Sequence, residues 1–132
     1  METNHQSDET VIRTQNLRKA FGEQVVLNDV NLAVPRGQIL MVLGRSGTGK
    51  SVLLKLLIGL QKPDKGEIKI NEEEITSLPI NKLNETRKKM GFLFQSAALY
   101  DSLSVEENVA FPLRRHTKMK DSERRDRVRE WL

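Results

Sequence analysis

The run Gly44-Arg45-Ser46-Gly47-Thr48-Gly49-Lys50-Ser51 constrains this chain more than any other segment. Before it stands Ile39-Leu40-Met41-Val42-Leu43, short and continuously apolar, which reads as a strand with both faces covered. After it comes Ser51 to Leu60 (SVLLKLLIGL), apolar on nearly every face except at Lys55, which reads as a buried helix ended by Gly59 and Pro63. A glycine-rich turn from a buried strand into a helix is the setting a phosphate-binding loop requires. Gly44, Gly47 and Gly49 let the backbone curl tightly, and the N–H groups from Gly47 to Ser51 then point inward at an anion. The helix adds the positive end of its dipole. Lys50 supplies a full charge to the β- and γ-phosphates, and the Ser51 hydroxyl is placed to meet Mg²⁺. Arg45, Ser46, Thr48 and Val52 complete the set of candidate nucleotide-binding residues, with ATP the expected ligand.

Composition narrows the setting. The chain has 132 residues, 37% hydrophobic and 30% charged, which suits a globular domain or part of a larger one and is too apolar for a disordered chain. It has no cysteine, so disulfides and thiolate–metal sites are excluded, and a reducing compartment is consistent with that. No apolar run approaches bilayer length, and the start (METNHQSDET) is polar, unlike a signal peptide. Membrane association is therefore expected to go through a partner. The net charge of +4 is uneven: Leu113–Leu132 holds 8 of the 22 basic residues and only 4 of the 18 acidic ones, and the remainder is balanced. A basic stretch can serve nucleic acid or anionic lipid. Here Asp121, Glu123, Asp126 and Glu130 interleave with the arginines, the pattern of a solvated helix face with spaced ion pairs.

Turn and periodicity signals order the rest. Strands are expected over Val11–Leu17, in one or two pieces over Val25–Val34, over Glu67–Ile70 and over Gly91–Gln95. Turns fall at Phe21–Gln24, Pro35–Gly37 and Lys62–Gly66. Leu78–Lys89 is predicted helical. So is Ser104–Phe111, with Ser104 as N-cap, Glu107 closing a capping box, and Pro112 breaking it. Asp121–Leu132 is predicted as a helix capped by Asp121 or Ser122.

Three kinds of phosphate-loop protein compete. A GTPase needs an Asn-Lys-x-Asp guanine reader. Asn81-Lys82-Leu83-Asn84 ends in an amide that cannot accept both guanine hydrogen bonds as a carboxylate does, and it falls in an expected helix. A small-molecule kinase would need a basic lid separable from the C-terminal stretch, and none is evident. The third kind rests on resemblance. Asn16-Leu17-Arg18-Lys19-Ala20-Phe21-Gly22, Val26-Leu27-Asn28-Asp29-Val30-Asn31-Leu32 and Gly37-Gln38-Ile39 resemble the opening of the ATP-binding cassette ATPases. Gly59-Leu60 to Asp64-Lys65-Gly66-Glu67-Ile68 resembles that family's turn after the first helix, and Met90-Gly91-Phe92-Leu93-Phe94-Gln95 its glutamine loop. Ser46–Lys55 and Phe92–Leu113 are similar to a narrower group, the ATPases of the Mla and MCE phospholipid transporters of diderm bacteria and their relatives.

The resemblance spans about residues 11–132, which read as the N-terminal part of an ABC ATPase domain, with residues 1–10 a polar tail. It implies an α/β fold: an antiparallel β subdomain beside a phosphate-loop core, then the start of a helical subdomain. It implies that Phe21 stacks on adenine, that Gln95 meets Mg²⁺ and helps place water, and that Ser96–Pro112 contacts a permease. Implied partners are a second ATPase subunit, an integral-membrane permease and an MCE-type lipid-binding protein, with no direct nucleic acid. The implied place is the cytoplasmic face of the bacterial inner membrane, held peripherally. The alternatives are a transporter ATPase for another substrate and a non-transport cassette protein acting on nucleic acid or ribosomes.

Other family parts have no match. Ala97-Ala98-Leu99-Tyr100-Asp101 mimics a Walker B strand, but Ser102 follows where the catalytic glutamate belongs. There is no Leu-Ser-Gly-Gly-Gln segment, and His5 and His116 read as solvated residues rather than a switch histidine. The expectation is therefore a nucleotide-binding portion of a longer ATPase that hydrolyses ATP poorly by itself.

Overall fold

Strands β1 (Thr10–Phe21) and β2 (Gln24–Pro35) form a long antiparallel hairpin, closed at Gly22 and Glu23 with Gly22 at φ +59°. This is a computed structural model, and it describes residues 9–96 and 98–132. Most of the expected N-terminal tail, His5 and Ala97 lie outside the described residues. The hairpin is longer than the alternation at Val11–Leu17 suggests, and Val25–Val34 belongs to one strand. Its register shifts at four places, and polar side chains hold the two that flank Leu17. Asn16 and Asp29 adopt left-handed backbone at φ 49° and 54°. Asn16 donates from Nδ2 to Asp29 Oδ1 at 2.8 Å and from its backbone N–H to Asn31 Oδ1 at 2.8 Å. Residues of this type tolerate that conformation because their short polar groups bond locally.

Strand β3 (Lys65–Ile70) pairs with the other edge of β1, and a two-residue β4 (Glu73–Glu74) returns along β3, giving the order β2-β1-β3-β4. The β3–β4 turn places both Asn71 and Glu72 at positive φ, the twist-matched arrangement of tight hairpins. One face of this sheet is covered by α1 (Lys50–Leu57) and α2 (Ile80–Arg87). Leu17, Leu27, Ile68, Ile70 and Ile75 from the sheet side meet Leu53, Leu56 and Leu83 from the helices in one buried cluster. Helix α1 buries only Leu53 and Leu56, with Leu54 and Leu60 about half exposed, so its cover is one-sided rather than complete.

The end of α1 is closed from outside. Gly59 turns the chain at φ +68°. Arg87 then reaches back from α2, donating from Nε to the Ile58 carbonyl at 2.9 Å and from Nη2 to the Gly59 carbonyl at 2.7 Å. Its remaining arm meets Asn84 Oδ1 at 3.0 Å. A guanidinium suits this task because it presents several donors in one rigid plane.

Two expected strands do not form. Ile39–Leu43 is irregular and joins no ladder among the described residues, and it is open to solvent, with Ile39 95% and Leu43 82% exposed. Gly91–Gln95 is also irregular, and Phe92 and Phe94 pack edge-on against each other with centroids 4.6 Å apart. Apolar composition states a preference for a covered strand, whereas a ladder needs neighbouring strands, and all four described strands are committed to the antiparallel sheet.

Residues 92–132 form a second compact unit. Helix α3 (Val105–His116) begins with the expected capping box: Glu107 N–H donates to Ser104 Oγ at 3.2 Å, and Ser104 N–H donates to Glu107 Oε2 at 2.8 Å. The backbone N–H of Ser104, with its hydroxyl next, holds the Glu107 carboxyl below its ordinary pKa. Pro112 does not break this helix, contrary to the sequence reading. The turn beyond it is held by the burial of Ala110 and Leu113 against Val128 of α4 (Asp121–Trp131), and packing of this kind outweighs one missing N–H. The N-cap of α4 is Lys120, one residue before the expected position, because Glu123 Oε2 accepts from the Lys120 N–H at 3.1 Å. The spaced charges do pair, Arg124 with Asp121 at 2.9 Å and Arg127 with Glu130 at 3.2 Å.

Arg87→Ala removes three hydrogen bonds and leaves two helix-end carbonyls without their donor. The expected loss is about 1–3 kcal/mol in urea unfolding, with Arg87→Lys intermediate because one ammonium cannot span both carbonyls in the same plane. Equal stability of all three proteins would refute the closure role.

Candidate functional site: the loop at the start of α1

The glycine-rich run 44–51 leads into α1, as the sequence predicts. Gly49 is the N-cap of α1 and sits in the left-handed region at φ 96°, ψ 3°. The first intrahelical bond, from Leu53 N–H to the Gly49 carbonyl, measures 2.8 Å. No side chain caps this terminus and no acidic residue lies in its first turn. Among the described residues, the opening N–H groups therefore have no internal acceptor, and no carboxylate of the first turn competes for them. This is the electrostatic condition for an anion at a helix start.

Each loop glycine has its own reason. Gly47 needs its positive φ of 78°, with open space where a Cβ would stand. At Gly44 the Thr48 hydroxyl would lie 2.7 Å from a Cβ, and that hydroxyl donates to the Arg45 carbonyl at 2.8 Å, drawing the loop closed. Gly49 is constrained twice, by φ and by a Cβ position only 2.7 Å from Val26 Cγ1 and 3.1 Å from the Val26 carbonyl. Through Val26, the β1–β2 hairpin sets the position of the loop.

Lys50 Nζ donates to the carbonyls of Gly44 at 2.7 Å and Arg45 at 2.6 Å. An ammonium has three donors, so one remains for a phosphate oxygen. Arg45, Ser46, Thr48 and Ser51 are exposed, and Val52 is half-buried against the core. Ser51 stands in the first turn of α1 with an oxygen donor of the kind Mg²⁺ prefers. Among the described residues, no group of three or more histidine or acidic side chains could form a metal site by itself.

Phe21 ends β1 at the hairpin tip, 47% exposed, with Lys19 Nζ 5.4 Å from its ring centroid. Phe21 pairs with Gln24, and Lys19 pairs with Leu27, the neighbour of Val26. The ring thus stands two residues, roughly 7 Å, along the strand from the stretch that touches Gly49. Gln95 belongs to the second unit, exposed in a turn, and the strand end expected there is absent. Within Ser96–Pro112, the Asn108 side chain organises the loop. It accepts from Tyr100 N–H at 2.9 Å and donates to the carbonyls of Tyr100, Leu103 and Ser104 at 3.0–3.1 Å. Leu99, Tyr100 and Val105 are left exposed, and Tyr100 rests on Phe111 with centroids 5.0 Å apart.

Sequence reasoning missed Asp64. Its Oδ1 accepts from Lys19 Nζ at 2.9 Å and its Oδ2 accepts from the Ala20 N–H at 2.7 Å. The Lys19 hydrogen bond first, then the Ala20 N–H, hold its carboxyl below the usual aspartate range. Asp64 lies in a Pro-Asp-Lys-Gly turn that looks like an ordinary loop, and only a pairing 45 residues away gives it a task.

The antiparallel sheet, the helices laid on it and the glycine loop opening α1 define a P-loop NTPase fold. A family model described as ABC transporter matches residues 27–132, and the chain belongs to that family. It is 47% identical over 121 residues to a probable ribonucleotide transport ATP-binding protein, mkl, of Mycobacterium leprae, covering 92% of this chain and 35% of that protein. It is 41% identical over 115 residues to the intermembrane phospholipid transport system ATP-binding protein MlaF of Haemophilus influenzae, covering 87% and 44%. It is also 41% identical over 122 residues to the methionine import ATP-binding protein MetN of Brucella abortus, covering 92% and 33%. Among solved structures, the dimeric bacterial ABC transporter cassette MJ0796 superposes with a TM-score of 0.82 at 35% identity, over 90% of this chain and 54% of that one. The same cassette in a post-hydrolysis state bound to ADP and Pi gives 0.81 at 34% identity. The chain thus spans less than half the length of these curated relatives.

Gly49→Ala is expected to destabilise the first unit more than Gly47→Ala. Both lose about 1–2 kcal/mol to left-handed backbone, and only Gly49→Ala also drives a methyl into Val26. Urea midpoints of the two variants test this, and equal losses would show that the Val26 contact yields freely.

Proposed function

We propose that this chain holds Mg-ATP as the nucleotide-binding part of an ABC transporter ATPase, residues 11–132 supplying the N-terminal portion of that domain. The observation that carries the reading is the uncapped start of α1 behind a left-handed Gly49, with the Lys50 ammonium gathered at the loop. The amides from Gly47 to Ser51 wrap the phosphates, and Gly44, Arg45, Ser46, Thr48 and Val52 shape the wrap. Lys50 reaches the β- and γ-phosphates. Phe21 offers its exposed ring to adenine. Ser51 provides an oxygen for Mg²⁺, which offsets phosphate charge when bound, and for Gln95 the same role rests on the family resemblance alone.

Coupling follows from family membership. A second ATPase subunit completes the dimeric arrangement. A permease is met through Ser96–Pro112, where exposed Leu99, Tyr100 and Val105 support a protein contact. That permease would hold the chain peripherally at the cytoplasmic face of the inner membrane; among the described residues no helix is long and apolar enough to cross a membrane. Phospholipid is the cargo we favour, supported by the likeness to MlaF and by the resemblance of Ser46–Lys55 and Phe92–Leu113 to the lipid group, and an MCE-type lipid-binding protein is the further partner of that reading. Another solute is the second reading, because mkl and MetN are matched at similar identity. A nucleic-acid role is the reading we favour least, because Arg124 and Arg127 of the basic stretch are paired with carboxylates.

Lys50→Ala is expected to weaken Mg-ATP binding about tenfold or more by calorimetry, since a charged hydrogen bond is lost. Undiminished affinity in folded protein would overturn the phosphate-loop reading. Hydrolysis by the 132-residue chain is expected to be slow, because these residues hold neither a Walker B strand with its catalytic glutamate nor a Leu-Ser-Gly-Gly-Gln segment. Phosphate release matching that of a full-length relative under the same conditions would contradict this.

A further inference from the structure

We infer that Asp64 and Lys19 are positioning residues for the base of the nucleotide: they fix the Phe21 ring, one face toward the Lys19 ammonium and the other free for a purine. The inference rests on the reading of Phe21 as the adenine-stacking ring. The backbone needs such a device. The ladder from β1 to β3 ends at the pair Arg18–Lys65, so Lys19, Ala20 and Phe21 project beyond it and keep only β2 as a strand neighbour. A two-stranded ribbon end twists and frays.

Asp64 binds this projecting end at three points. Its own N–H donates to the Arg18 carbonyl at 2.9 Å. One carboxylate oxygen takes the Ala20 N–H at 2.7 Å, the residue directly before Phe21, and the other takes Lys19 Nζ at 2.9 Å. The turn after α1 thus substitutes for the missing strand. The same ion pair steers the ammonium to 5.4 Å from the Phe21 centroid, within the range where a cation is attracted to a ring face. Lys19 is largely covered while Phe21 remains 47% exposed, so the cation is held and the ring is presented. Asp64 also ties the base end to the C-terminal side of α1, whose N-terminal side holds the phosphates. Both ends of a bound nucleotide are then referred to one short helix.

The test compares Mg-ATP with magnesium tripolyphosphate, which has the phosphates and no base. Calorimetry is run on the whole chain and on Asp64→Ala, Lys19→Met, Lys19→Arg and Phe21→Ala. We expect Asp64→Ala and Lys19→Met to weaken ATP binding about fivefold while leaving tripolyphosphate binding unchanged, and Lys19→Arg to keep near-normal ATP affinity by retaining cation and donor. If ATP and tripolyphosphate weaken together, or if Asp64→Ala and Lys19→Met leave ATP affinity intact while Phe21→Ala lowers it, the positioning role is overturned and the stacking reading stands. If Phe21→Ala itself leaves ATP affinity unchanged, the stacking reading falls and the inference falls with it.

Discussion

The contact between Val26 and the backbone of Gly49 is the constraint from which the rest of the first unit follows. At that point a strand presses on the residue where extended chain becomes helix, leaving no room for a Cβ and holding φ at 96°. The same contact fixes the direction of α1, and with it the position of Leu53 and Leu56 on the sheet. It also fixes where the open N–H groups of the first turn face. Packing and anion chemistry therefore depend on one close approach, and glycine is the residue that permits both.

The parts of the fold visible in the sequence were those specified by local chemistry. The glycine loop, the Gly22 and Gly37 turns, the Ser104–Glu107 box and the spaced charges of α4 depend on residues a few positions apart, and each forms. The parts that were not visible depend on distant partners. Ile39–Leu43 has a covered strand's composition, yet no residue within it specifies a neighbour, and it stays unpaired. Pro112 reads as a stop because the local rule is sound, but Ala110 and Leu113 on the face packed against Val128 carry the helix past it. Nothing local singles out Arg87 within its helix or Asp64 within its turn. Their tasks appear only when α2 and the turn after α1 are brought against carbonyls and amides 28 to 45 residues away.

The candidate site divides in the same way. Gly44 through Ser51 was legible because wrapping phosphates demands contiguous residues in a fixed order. Base recognition makes no such demand, since any flat ring at the right place suffices, so Phe21 is proposed for it by resemblance and not by chemistry. Cargo is less legible still. Proteins named for ribonucleotide, phospholipid and methionine transport share 41–47% identity with these residues. A triphosphate is the same anion in every one of them, so the geometry at Gly49 and Lys50 holds no information on what crosses the membrane. Any such information must lie where a surface is free to vary while its scaffold is kept. The stretch around Leu99, Tyr100 and Val105 has that form: Asn108 pins its backbone, while the side chains of Leu99 and Val105 stand 66% and 68% exposed.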